Sequence, residues 1–211
     1  MKSGEINSLF KNLSKVIKNP KSDLKYKNKF TLLVSVVLSA QCTDVNVNNV
    51  TKNIYPKYNK PEHFIKLGRK KIEKLIKRIG LFRNKAKSIY LLSKQLIEKH
   101  NGKVPNNFEA LYALPGVGRK TASVVLNEGF GLPTIAVDTH VFRVSNRTGL
   151  APGKNPDEVQ KKLYEIVPKK YLKKASHTIL LHGRYTCKAR APSCKTCVII
   201  KYCKYNSKEL R

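Results

Sequence analysis

Four closely spaced cysteines are the residues of this chain most plainly equipped for chemistry. Cys187, Cys194, Cys197 and Cys203 give the spacing C-x6-C-x2-C-x5-C. Four thiolates within 17 residues can converge on one site only if the chain loops tightly around it. Thiolates select zinc or an iron–sulfur cluster, and the spacing alone leaves both open. Cys42 lies far away in an apolar stretch and reads as a small core residue.

A second candidate is the segment LYALPGVGRKTASVV, residues 111–125. Two short helices flank Pro115-Gly116-Val117-Gly118. Glycines there let another backbone approach closely, and amides at a helix start suit an anion such as a DNA phosphate. An ordinary tight turn is the competing reading, and the basic pair Arg119-Lys120 directly after it favours the anion. Lys120 is predicted in the first turn of the second helix. There the helix dipole, Arg119 and partial burial all disfavour its ammonium form, and a lysine held as the free amine is a nucleophile. In so lysine-rich a chain, spacing alone does not single it out. A third stretch, PTIAVDTHVFRVSNR, places Asp138 where an N-cap belongs. A carboxylate there could also serve an active amine as base or electrostatic partner. His140 in the same helix reads as structural more readily than catalytic.

The elements that must position these groups are helical almost throughout. Leu9, Phe10, Leu13, Val16 and Ile17 recur at helical spacing. Phe30 to Ala40 is a uniformly apolar helix and should be central. Val45 to Ile54, Ile72 to Ile79 and Ala86 to His100 read as amphipathic helices, with Gly80 and Gly102 as left-handed caps on the last two. Asn107 to Leu114 and Arg119 to Glu128 follow, the latter stopped by Gly129. Helices then cover Thr139 to Thr148, Pro156 to Val167 and Tyr171 to His182. No alternating strand pattern competes, so the predicted fold class is all-α. The cysteine-dense C-terminal stretch forms a small metal-organised lobe.

Composition narrows the partners. The 211 residues carry 43 Lys plus Arg against 13 Asp plus Glu, a formal charge of +30. That field favours nucleic acid or an anionic membrane surface. The excess is nearly all lysine, with asparagine and isoleucine also frequent, so AT-rich coding is the competing account. The longest apolar run, FTLLVSVVLSA, is about half the roughly 20 residues needed to span a bilayer. The N-terminus lacks the apolar core and cleavage site of a secretory signal. The expectation is a cytoplasmic, nucleoid-associated monomer whose cysteines hold a metal rather than disulfides.

In their order, LPGVGRKTA, VDTHVFRV and the cysteine spacing resemble the endonuclease III family of helix-hairpin-helix DNA glycosylases. The likeness runs from about Phe30 to Cys203 and includes LLVSVVLSAQCTD, IGLFRNKA, VLNEGFG, APGKN and LHGRYTC. It implies two helical lobes with DNA in the groove between them: residues 22–132 as a central bundle, and residues 1–21 plus 133–211 as a second lobe with a [4Fe-4S] cluster on Cys187, Cys194, Cys197 and Cys203. The resemblance further implies excision of oxidised pyrimidines from duplex DNA, and β-elimination 3′ to the abasic site. Lys120 would attack C1′ and Asp138 would assist. Gln41 would fill the gap left by the flipped base, and Leu81 would wedge into the opposite strand. Gly116, Gly118, Arg119, Thr121, Lys188 and Arg190 complete the implied DNA contacts. One departure is the loop KARAPS between the first two cysteines. It keeps Lys188 and Arg190 but has neutral Ala191 and Ser193, where the family is often richly basic. Against this stand a non-catalytic DNA-binding module, which needs no Lys120–Asp138 pair, a redox protein, and a zinc-organised structural protein.

Overall fold

The computed structural model describes residues 1–207. Its helices are α1 (Ser3–Val16), α2 (Lys29–Ser39), α3 (Asp44–Thr51), α4 (Pro61–Leu67), α5 (Arg69–Leu75), α6 (Phe82–His100), α7 (Phe108–Tyr112), α8 (Arg119–Phe130), α9 (Thr139–Thr148), α10 (Pro156–Ile166) and α11 (Lys169–Tyr185), followed by a 3-10 turn at Ile200–Tyr202. No strand occurs among the described residues, as an all-α fold requires. The chain divides into two compact units, Asp23–Gly131 and Met1–Ser22 with Leu132–Arg211.

The first unit is built around α2. Asn28 caps it by accepting from the Thr31 amide at 2.9 Å, while the Thr31 hydroxyl accepts from the Asn28 amide at 2.9 Å. This reciprocal cap satisfies two amides that the helix itself leaves open. Every residue from Phe30 to Leu38 is buried, the signature of a helix surrounded by others. Its hydroxyl-bearing Ser35 is satisfied by the Tyr55 hydroxyl at 2.6 Å. α3, α6 and α8 pack on α2, and α4 and α5 pack on α6.

The second unit joins the chain's start to its end. α1 lies on α11, with Phe10 and Tyr171 rings stacked 5.4 Å apart, and the Asn12 side-chain amide donates to the Val198 carbonyl at 3.2 Å. α9 packs on α11 and α10 on α9. Residues 132–138 run without regular structure into α9. Their buried backbone groups need partners, and side chains supply them. The Ile135 amide donates to the Tyr164 hydroxyl at 2.8 Å, the Ala136 amide to Ser176 Oγ at 2.8 Å, and the Gln160 amide reaches the Ile135 carbonyl at 2.5 Å.

Several boundaries differ from expectation. α4 was not foreseen, although Pro61 at its first position and Glu62 in its first turn are start signals. It buries only Pro61 and Phe64, too little apolar periodicity to read. α8 runs through Gly129 and stops at Gly131, which takes φ +70°. Gly80 is not a left-handed cap. That conformation falls on Leu81, the N-cap of α6, at φ +58°.

Candidate functional site

In the unit Asp23–Gly131, the hairpin is α7, residues 113–118, and α8. Leu111, Leu114 and Val117 are buried and anchor it, and the Val117 amide donates to the Leu114 carbonyl at 3.0 Å. The two glycines have different reasons to be glycine. Gly116 has φ +78°, and a Cβ there would stand 2.6 Å from Ser88 Cβ on α6. Gly118 has φ −90° and open space around it. The protein's own packing therefore demands glycine at 116 but not at 118. Amides of a helix's first turn point outward along its axis, so Gly118 presents the start of α8 to whatever docks there.

Lys120 is the second residue of α8, in its first turn as expected. It is exposed rather than partly buried, because the buried face of α8 begins only at Ala122. Arg119 is exposed too, and its guanidinium leans over the α7 rings, 6.0 Å from Phe108 and 5.7 Å from Tyr112. Thr121 is half-buried.

Two further residues of this unit stand out by backbone geometry. Gln41 and Leu81 are both exposed and both left-handed, at φ +53° and +58°. A side chain in that region costs energy and persists only where the surroundings impose it. The two turns adjoin, since a Cβ on Gly80 would lie 3.8 Å from the Gln41 carbonyl. Asn46 spans them, its amide nitrogen donating to the Arg78 carbonyl at 3.1 Å and to Cys42 Sγ at 3.3 Å. Lys85 on α6 is 6% exposed. Its ammonium donates to the carbonyls of Leu38 and Ala40 at 2.9 and 2.5 Å. Burial pushes Lys85 below the ordinary lysine pKa, with nearby Cys42 acting the other way. Sequence reasoning missed Lys85, since nothing distinguishes one lysine among so many.

In the other unit Asp138 caps α9, its Oδ1 accepting from the Val141 amide at 2.8 Å. The carboxylate is half-buried at the end of the side-chain-tethered segment. His140 Nδ1 lies 3.1 Å from Arg143 Nη2, in keeping with a structural part.

Cys187, Cys194, Cys197 and Cys203 all line one small cavity, with His182, Pro192 and Ile200. Among the described residues no three His, Cys, Asp or Glu side chains gather closely enough to hold a single metal ion. Burial raises the Cys197 thiol pKa, and the other three cysteines push it the same way. Gathering four thiolates therefore calls for positive charge among them. Arginines of α9 fasten the loop. Arg143 donates to the carbonyls of Cys187 and Gly183 at 3.2 and 2.8 Å, and Arg147 to those of Lys188 and Ala189 at 2.6 and 2.8 Å. These two anchors were not foreseen. Lys188 and Arg190 are exposed on the loop they hold.

The family described as HhH-GPD superfamily base excision DNA repair protein matches residues 34–169. Endonuclease III of Rickettsia conorii is 54% identical over 205 residues, covering 97% of this chain and 98% of that protein. Endonuclease III of Escherichia coli K12 is 50% identical over 190 residues, 90% of each. A solved structure of a trapped endonuclease III–DNA covalent intermediate superposes with a TM-score of 0.93 at 42% identity, covering 100% of both chains.

Proposed function

The chain belongs to the HhH-GPD superfamily of base excision DNA repair proteins, and within it we propose a bifunctional DNA glycosylase and abasic-site lyase that removes oxidised pyrimidines from duplex DNA. The observation that carries this reading is an exposed lysine, Lys120, in the first turn of the helix that a glycine hairpin presents to solvent. A related endonuclease III was trapped as a covalent intermediate with DNA, and a lysine amine is one of the groups able to form such a bond.

The base must leave the stack before its glycosidic bond can be reached. Gln41 occupies the vacated space and Leu81 enters the opposite strand. Both side chains are exposed on left-handed turns, a placement that backbone strain supports. The amine of Lys120 attacks C1′, and the C1′–N bond breaks with its electron pair leaving on the base. Loss of one proton from the attached nitrogen, and opening of the C1′–O4′ bond as O4′ takes up a proton, give a protonated imine. The imine acidifies the C2′ proton, whose removal expels the 3′ phosphate oxygen by β-elimination. Asp138 accepts a proton from the amine or stabilises the positive charge that develops on the sugar. Gly116, Gly118, Arg119 and Thr121 receive the DNA backbone at the hairpin, and Lys188 and Arg190 on the cysteine loop.

Cys187, Cys194, Cys197 and Cys203 are the residues that would hold a [4Fe-4S] cluster. Its positive charge would offset their four thiolates and brace the loop. Four thiols lining one cavity suit a group that several cysteines bind together.

The decisive experiment incubates the protein with a duplex carrying one oxidised pyrimidine, with and without borohydride. Lys120→Gln keeps the side chain polar and similar in length but cannot form an imine. It should abolish trapping and strand cleavage while lesion binding survives. An undiminished adduct with Lys120→Gln would assign the nucleophile to another amine.

A further inference from the structure

We propose that Lys85 is a positioning residue whose side chain holds Gln41 in its left-handed conformation, and so sets the protein's preference for DNA from which a base has been flipped. The proposal rests on the reading that the Gln41 side chain enters the duplex.

The geometry is specific. The Ala40 carbonyl belongs to the peptide unit that leads into Gln41, so fixing that oxygen fixes the plane about which φ of Gln41 is measured. The Lys85 ammonium binds this oxygen at 2.5 Å and the Leu38 carbonyl at 2.9 Å. The Leu81 carbonyl belongs to the peptide unit that leaves Leu81. The Lys85 backbone amide donates to it at 3.1 Å. That bond is a first-turn helix bond that any residue at 85 would make, so what the Lys85 side chain itself pins is the peptide plane before Gln41. The Lys85 side chain is buried, and charged donors to carbonyls are stronger than neutral ones. Asn46 links the same two turns but touches the Arg78 carbonyl and Cys42 Sγ, neither of which belongs to the peptide units that flank Gln41 and Leu81. A left-handed side chain stores backbone strain that its surroundings must hold in place. Without the ammonium, the Gln41 turn relaxes toward negative φ and its side chain leaves the place where it would meet DNA.

The test compares affinity for a duplex carrying a tetrahydrofuran abasic analogue with affinity for the undamaged duplex. Lys85→Met removes the ammonium and keeps the length. Lys85→Gln retains an amide donor for one carbonyl and carries the same measurement if the methionine variant is too unstable to purify. Either should lower the tetrahydrofuran-to-undamaged affinity ratio at least tenfold (Lys85→Gln less than Lys85→Met where both fold), with the loss in KM rather than kcat on the lesion duplex. In a Gln41→Ala background the same Lys85 change should cost much less, because the side chain it positions is already gone. A lowered melting temperature with an unchanged affinity ratio, or strictly additive effects in the double variant, would overturn the proposal. Gln41→Ala, measured alongside, separates the two levels. If it leaves the ratio unchanged, the entry of Gln41 into DNA is wrong. If it alters the ratio and the Lys85 variants do not, only the role of Lys85 fails.

Discussion

In Asp23–Gly131, the residues read as meeting DNA stand on turns closed by atoms of that unit's own packing: half-buried Ser88 behind Gly116, Leu111 and Leu114 under the hairpin, Lys85 behind Gln41. The corresponding residues of the other unit, Lys188 and Arg190, stand on a loop with little apolar backing. Of residues 186–207 only Pro192, Cys194 and Ile199 are buried. A packed core imposes a strained conformation directly, because it cannot relax without opening a cavity. A short segment that cannot bury enough surface needs another organiser. Here the organisers are two arginines of α9 and the four-cysteine cavity. On the proposed reading, one chain presents DNA-facing groups in two ways, by packing and by ligation.

The largest expected effect breaks that comparison at the loop. Cys187→Ala should remove iron and visible colour from protein purified anaerobically. Limited proteolysis should then cut within residues 186–207 while Asp23–Gly131 stays resistant. Cys42→Ala should keep its full iron content, since Cys42 packs at the edge of the other core. A loop that stayed protected without iron would mean that Arg143 and Arg147 suffice to organise it. Colourless protein with stoichiometric zinc would overturn the cluster assignment.

A smaller effect sharpens the comparison within the hairpin. Gly116→Ala places a Cβ 2.6 Å from Ser88 Cβ at φ +78°. It should cost about 1–3 kcal/mol from backbone strain alone, read as a fall in the denaturation midpoint. Gly118→Ala meets nothing within 4 Å and should leave the midpoint within about 0.5 kcal/mol, as for a surface change. It should nonetheless weaken damaged and undamaged duplex alike, because the added methyl meets DNA rather than protein. Undiminished binding by Gly118→Ala would remove the hairpin from the DNA contact.

Much of this was legible in the sequence. The motifs named the family, 3.6-residue periodicity found α1 and α6, each of which buries one largely apolar face, and α2 was legible as an unbroken apolar run. The C-terminal limit of α8 was misjudged because that helix end is decided by one residue's φ, and Gly129 and Gly131 look alike in sequence. The support of the site was the least legible part. No propensity places Gln41 or Leu81 at positive φ. Lys85, Arg143 and Arg147 read as surface charge in a chain of 43 Lys plus Arg, whereas their work is to satisfy backbone carbonyls distant in sequence. Such partners are a property of the fold.

The smallest structural effect concerns Asp138, where capping and chemistry share one carboxylate. Its Oδ1 accepts from the Val141 amide at 2.8 Å, and losing that bond alone costs about 1 kcal/mol. Asp138→Ala removes both cap and charge. Asp138→Asn keeps an oxygen in the same place, and asparagine caps about as well as aspartate, so its melting temperature should match that of the parent protein. The charge is nonetheless gone. If the carboxylate takes a proton from Lys120 or stabilises the sugar cation, base release by Asp138→Asn should slow by roughly 10²–10⁴-fold, the usual worth of such a group. Cleavage of a pre-formed abasic site, which needs no base expelled, should slow less. Single-turnover rates on the two substrates separate these steps. Equal slowing on both would assign Asp138 to the amine rather than to base departure. Full activity in Asp138→Asn with reduced stability in Asp138→Ala would leave the residue as an N-cap alone.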